Sequence, residues 1–478
     1  MNSQSAAQVS FGFLGRKPVV VEVADCQLTS DAGLLPIREF DEFFGFTRQF
    51  ADAIRDLRRS GSVTHSCLEM ARSRIYGILA DYEDQNDHDT LRHDPVFKVI
   101  NGVSLEETLA SQPTHSRFEN SIDIPSLNRL RDVLIDQFID SFDSTPNRIT
   151  LDIDTFDDPT HGDQQLTFFH GYYDQYQYQS RIITCAENDM AVMPCLLFGT
   201  AAASLGAADD LKYLVDRLRA VWPDLDIEFR ADSGFGVPEM FEMCERLRVW
   251  YTIGFGMNSV LKEHSNELMS QVLKTFEETG EPQRCFMYLT DYQSRSWTAP
   301  RLTIIKCEAN HEGINRRVII TNRPGTTISP QGIYEAYADH GECENRNKEL
   351  KCGFHTDRLS DHRYMANLFR LYLHLQAHNL LIRVRNYIAV PVANPDPELP
   401  SDALPGPARK RLENRRRRSD PLGVGHPATW RTRLIKVAAE VVERARCIRI
   451  KLPSNWPWLG HYQAVSKAAM ALNSLQIE

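Results

Sequence analysis

Arg148-Ile149-Thr150-Leu151-Asp152-Ile153-Asp154 alternates, with Ile149, Leu151 and Ile153 on one side and Thr150, Asp152 and Asp154 on the other. A two-residue period is that of a β-strand with one packed face. The same stretch puts two carboxylates, i and i+2, on one side, where their charges repel. Either a cation lies nearby, or both acids take up backbone amides in the turn before Pro159. Working outward, Gln165–Tyr178 and Arg181–Cys185 read as two further strands of a meander. An amphipathic helix follows at Asp209–Ala220, then a strand at Asp226–Asp232, a helix at Pro238–Leu247 and a strand at Val249–Phe255. A strand meander that turns into alternating helix and strand predicts an α/β fold on a mixed sheet.

Two other segments carry candidate chemistry. In Arg230-Ala-Asp-Ser-Gly-Phe235 an apolar strand ends in Asp232 and passes through glycine toward a helix. Asp232 therefore sits at the carboxyl edge of the sheet, where open sheets place ligands, or it serves as an N-cap. Farther on, Gln331–Lys351 is predicted as one helix, with Tyr337, His340, Glu344 and Lys351 at offsets of three, four and seven residues. Those offsets share one face. Such a row could orient a metal-bound phosphate, or it is an exposed helix with paired charges. Taken together, Asp154, Asp232 and Glu344 are hard oxygen ligands suited to Mg²⁺, or Mn²⁺, with Asp152 as the alternative first ligand. Two such ions would serve phosphoryl transfer.

The rest of the chain divides around this core. Residues 1–145 read as mainly helical, with helical spacing through Phe43–Leu57, Ser66–Leu79 and Leu127–Phe142. Between them Asp81, Glu83, Asp84, Asp87 and Asp89 lack the glycine of a calcium loop and are read as a solvated loop. Residues 146–257 and 317–388 make the core. Residues 258–316 form a β-rich insertion, with a charged helix at Ser259–Glu278 and a small sheet of its own from Cys285–Tyr292 and Arg301–Cys307. Residues 389–478 are read as a Pro-rich linker, Pro391–Pro407, followed by a basic helical tail.

Charge is polarised. Residues 370–478 carry 18 Lys+Arg against 8 Asp+Glu, whereas the whole chain has a net charge of −10. The tail could therefore meet phosphates on an acidic protein, above all through Arg409, Lys410, Arg411, Arg415, Arg416, Arg417 and Arg418. Ten cysteines without a Cys-x-x-Cys pair point to reduced thiols, not to a disulfide framework or structural zinc. A polar N-terminus without signal-peptide order, and the lack of a long apolar run, predict a cytoplasmic protein with no membrane partner.

The three-carboxylate set resembles the DDE transposases of bacterial insertion sequences, in the branch marked by Tyr-x2-Arg-x3-Glu-x6-Lys. Tyr337, His340, Glu344 and Lys351 stand at those spacings, with His340 where the family has Arg. Leu151-Asp-Ile-Asp154, Pro159-Thr-His-Gly162, Arg230-Ala-Asp-Ser-Gly234 and Leu109-Ala-Ser-Gln-Pro-Thr114 are also similar to that family, over about Gly33 to Asn386. The resemblance implies a ribonuclease-H-like catalytic core with a β-rich insertion between the second and third carboxylates, which the 112-residue offset from Asp232 to Glu344 accommodates. It implies double-stranded DNA with terminal inverted repeats and a target DNA as partners, a homodimer on DNA, and a bacterial, nucleoid-associated location. A nuclease without strand transfer and a DNA-binding protein that no longer catalyses are the competing readings. His161 and His170 are read as structural rather than as cleft residues. Trp456 and Trp458 are read as packing residues, with base stacking as the alternative.

Overall fold

A computed structural model describes residues 9–14, 17–59, 61, 63–171, 173–324, 328–389, 422 and 425–474. The linker at Pro391–Pro407 and the basic run Arg409–Arg418 lie outside the described residues. The chain opens with a ribbon of β1 (Val9–Phe11) and β2 (Val19–Val21), followed by β3 (Gln27–Thr29). A helical body comes next, including Leu34–Phe44, Phe46–Asp52, Cys67–Leu79, Pro95–Asn101, Gln112–Asn120 and Ile124–Ile139. Caps fix its boundaries. The Ser66 side chain accepts from the Glu69 amide, and Asp123 accepts from Ser126. The continuous helix expected over Phe43–Leu57 is instead broken at Gly45, whose φ of 72° is the left-handed turn that glycine adopts at little cost. The acidic stretch is a loop only as far as Asp84. It forms a short turn at Gln85–Asp87 and a one-turn helix at His88–Leu91.

The large sheet has nine strands: β4 (Arg148–Pro159), β5 (Phe168–His170), β6 (Gln175–Cys185), β7 (Ala191–Phe198), β8 (Asp226–Ala231), β9 (Trp250–Phe255), β10 (Gln283–Leu289), β11 (Leu302–Asn310) and β12 (Gly313–Thr321). Their order is β10-β11-β12-β9-β8-β4-β6, with β5 and β7 on the outer side of β6. β4, β8 and β9 run parallel, and the other pairings are antiparallel. β8 and β9 are buried on both faces, as parallel strands with helical crossovers require. The mixed α/β sheet expected from the sequence is therefore present.

Two expectations are corrected. β10 and β11 do not form a sheet of their own; they extend the main sheet outward from β12. Only Val318–Thr321 of β12 is held by β9, while its whole length offers a second edge to β11. The tail is not wholly helical. After helix Pro427–Trp430, β13 (Ala439–Arg444) and β14 (Cys447–Lys451) form a hairpin that pairs with β3, and only Leu459–Ser474 is a long helix. Ala439 and Val441 are buried while Glu440 and Val442 are less so, a strand period masked in the sequence by the charge of the region.

Candidate active site

The register of the parallel strands builds the site. Ile153 of β4 lies opposite Ala231 of β8 in the last pair of that register; Asp232 leaves the sheet there, while the next residue of β4, Asp154, stays in its strand opposite Ile182 of β6. Adjacent strands are about 4.8 Å apart. Asp232 continues the extended backbone, with φ −74° and ψ −176°, and its side chain accepts from the Gly234 amide at 2.9 Å. It is exposed, as is Glu344 on helix Gly341–Lys348.

Asp154 is the electrostatic centre. Burial pushes its carboxyl up to about 6; the Thr155 amide and His340 pull against this, and the charges of Asp232 and Glu344 add to it. The three carboxylates thus act on one another from three separate elements. Asp154 accepts from Thr155 N at 2.7 Å and from Asn347 Nδ2 at 2.9 Å. Among the described residues, none of the three carboxylates is in an ion pair.

Asp152 differs. It is 2% exposed, and Arg230 grips both its oxygens at 2.7 Å through Nε and Nη2. Burial would raise its pKa, but the His340 hydrogen bond and the Arg230 charge hold it below the ordinary value. A carboxylate already bonded in this way has little left for a metal, whereas Asp154, among the described residues, is in no ion pair.

The expected single helix Gln331–Lys351 is divided. It runs over Pro330–Ala338, tightens at Asp339 and His340, resumes at Gly341–Lys348 and widens into a π-turn at Glu349–Gly353. Tight and wide turns each change the residues per turn, so no single 3.6-residue period runs through all four signature residues. The segment instead lies along β4. His340 Nδ1 is 3.0 Å from Asp152, Asn347 meets Asp154, and Lys351 Nζ is 2.5 Å from Asp157. The lengths agree, because eleven helical residues at about 1.5 Å and five strand residues at about 3.3 Å both span roughly 16 Å. His340 and Lys351, expected to face phosphate, are therefore engaged with the strand in this structure. Tyr337 is half-buried and stacks on His340, with ring centroids 6.2 Å apart.

Some residues of the site were not anticipated. Asn347 carried no signal beyond its place three residues after Glu344. Gly254 did carry one, since a glycine inside a buried strand marks close approach. A Cβ there would lie 2.8 Å from the Tyr337 hydroxyl and 2.9 Å from the Ser233 amide. His161 is exposed and His170 half-buried. Trp456 packs beside Tyr462, and Trp458 stacks on His461 under the Arg433 guanidinium. Among the described residues, ligand atoms within 4.8 Å of one another occur at Asp81, Glu83 and His355. There Arg431 pairs with Asp81 at 2.7 Å and Arg358 pairs with Glu83, so cations are already in place. Among the described residues, no helix is long and apolar enough to cross a membrane.

Asp154 within β4, Asp232 just past the end of the parallel strand β8 and Glu344 on a helix together make a set of hard oxygen donors that could hold divalent cations. Residues 11–394 match the family described as "Transposase DDE domain group 1", and the chain belongs to that family. Its members are transposases, enzymes that act on DNA, and the family generally uses divalent metal. No curated protein matches. Among solved structures, the chain is similar to the piggyBac transposase in a cryo-EM structure of its synaptic complex with hairpin DNA, at 10% identity and a TM-score of 0.40, over 85% of this chain and 84% of that one.

Proposed function

We propose that this chain is a transposase that binds the terminal inverted repeats of its element, cleaves the ends and joins them to target DNA. The observation that carries the reading is that Asp232 follows the last residue of β8 beside Asp154 of the parallel strand β4, with Glu344 in their field and, among the described residues, no ion pair to any of the three. We read the β7-β6-β4-β8-β9 portion of the sheet, three antiparallel strands followed by two parallel to β4, as a ribonuclease-H-like core.

The donor set fits divalent cations. Asp154, Asp232 and Glu344 would hold Mg²⁺ or Mn²⁺, two ions in the full site. When bound, the ions supply activation of the attacking oxygen and stabilisation of the leaving one. The chain's own residues do the rest. Asn347 and the Thr155 amide orient Asp154, the Asp232 side chain is steadied by the Gly234 amide, and Tyr337 closes the side of the site next to Gly254. The helical body is assigned to sequence-specific reading of the ends, with a helix in the major groove, and the run Arg409–Arg418 to phosphate binding. A homodimer on DNA completes the reading.

The test is incubation of the purified protein with Mg²⁺, a labelled element end and a target duplex. Joined product is expected. Cleavage without joining would leave a nuclease, and binding alone a protein that no longer catalyses.

A further inference from the structure

Behind the three carboxylates lies a second layer. Asp152 precedes Asp154 by two residues, Arg230 precedes Asp232 by two, and His340 precedes Glu344 by four. Strand and helix periods put each of them one step behind the acid that follows it. The three also bond to one another. Arg230 holds Asp152 in a two-pronged grip at 2.7 Å, and its Nη1 donates to the Ala336 carbonyl at 2.9 Å. His340 Nδ1 donates to Asp152 Oδ1 at 3.0 Å, since a carboxylate only accepts. All are buried, at 2%, 6% and 7% exposure for Asp152, Arg230 and His340.

We propose that Arg230, Asp152 and His340 are positioning residues that hold Asp154, Asp232 and Glu344 at a fixed spacing, so that divalent cations meet a ready-made site. The inference rests on the reading of those three acids as metal ligands. A buried ion pair adds little net stability, and well-packed apolar side chains would serve the fold as well. What the pair adds is direction, because a planar guanidinium fork fixes the angle between two strands. The layer links β4, β8 and the segment around His340, which are the elements that carry the three carboxylates. Glu344 gains most, since it arrives 112 residues after Asp232 on a segment that is not part of the sheet. Residues that orient metal ligands typically change metal affinity about 10–100-fold when removed.

The experiment is Mn²⁺ titration of the full-length protein, without DNA, followed by the electron paramagnetic resonance of free Mn²⁺, with thermal melting in chelator alongside. Asp232→Asn is expected to lose Mn²⁺ binding. His340→Ala and Arg230→Lys are expected to bind Mn²⁺ about tenfold or more weakly. The melting temperature of His340→Ala should stay near wild type. His340→Asn, whose amide nitrogen can replace Nδ1, should restore most of the affinity. If Arg230→Lys fails to fold, the two His340 variants decide. Wild-type Mn²⁺ binding in His340→Ala, with binding lost in Asp232→Asn, would overturn the layer and leave the metal site standing. Weak binding that tracks a lowered melting temperature and is not rescued by His340→Asn would make the layer merely structural and also overturn it. Undiminished binding in Asp232→Asn would bring down the metal-ligand reading itself, and the layer with it.

Discussion

Two buried acids in different regions show opposite treatments of charge. In the helical body, Glu119 is fully enclosed and takes hydrogen bonds from Arg74, Arg370 and Gln85. Burial alone would raise its pKa, yet the two guanidinium groups hold it at about 2. At the candidate site, Asp154 is largely buried but, among the described residues, receives an amide side chain and a backbone N–H, and burial raises it to about 6. The first acid is neutralised by the fold itself. The second is left with charge that the fold does not balance, beside two more acids, which is the condition a diffusible cation relieves.

The sharpest way to break this comparison is to remove charge from the cleft. Asp232→Asn or Glu344→Gln should lower end cleavage by about a thousandfold or more, since several kcal/mol of transition-state stabilisation are lost. Folding should barely change, because both residues are exposed. Cleavage at wild-type rate in either variant would contradict the mechanism. The body should respond in the opposite way. Glu119→Gln strands two buried guanidinium groups and should cost about 3–5 kcal/mol in chemical denaturation. A loss under about 1 kcal/mol would show that Glu119 is no keystone.

The two acids should also respond to pH with opposite sign. Glu119 has a depressed pKa, so its contribution is present above about 4.5 and fades as pH falls toward 2. Asp154 has a raised pKa, so stability is fully present below about 4 and is lost as pH rises through 6. In chelator at pH 7, Asp154→Asn should therefore be more stable than wild type by roughly 2–3 kcal/mol, a difference that closes near pH 4. Equal pH–stability curves for the two proteins would refute the assignment. The smallest effect concerns the basic run. Replacing Arg415–Arg418 with Gln should reduce the slope of log affinity against log salt by about 0.9 for each phosphate that is no longer neutralised, with sequence preference intact. Deleting the tail is the wrong test, because Trp430, Leu434 and Val441 belong to the core.

The strands that carry Asp154 and lead to Asp232 were legible because their signal is local. Ile149-x-Leu151-x-Ile153 carries a period of two, and Arg230-Ala-Asp232 ends at a glycine turn. The partners of strand edges are not local, so nothing in Cys285–Tyr292 or Arg301–Cys307 distinguishes a separate sheet from an extension of the main one. The divided helix at Glu344 was hidden for a related reason. A 3.6-residue pattern cannot report one tightened turn followed by one widened turn, and only Gly341 hinted at the break. His340 was read by analogy of position, whereas its burial against Asp152 follows from the second layer beneath it.

The pairing of β3 with β13 also has a consequence in time. Gln27–Thr29 bonds to residues 439–441, and the Arg431 guanidinium takes up the Ile78 and Leu79 carbonyls at the end of helix Cys67–Leu79. During synthesis β3 thus waits for β13, which follows it by about 410 residues. At about 5–20 residues per second, that delay is roughly 20–80 s. During it the helical body lacks its closing strand, so this part of the fold is completed only once residues 431–441 have been made.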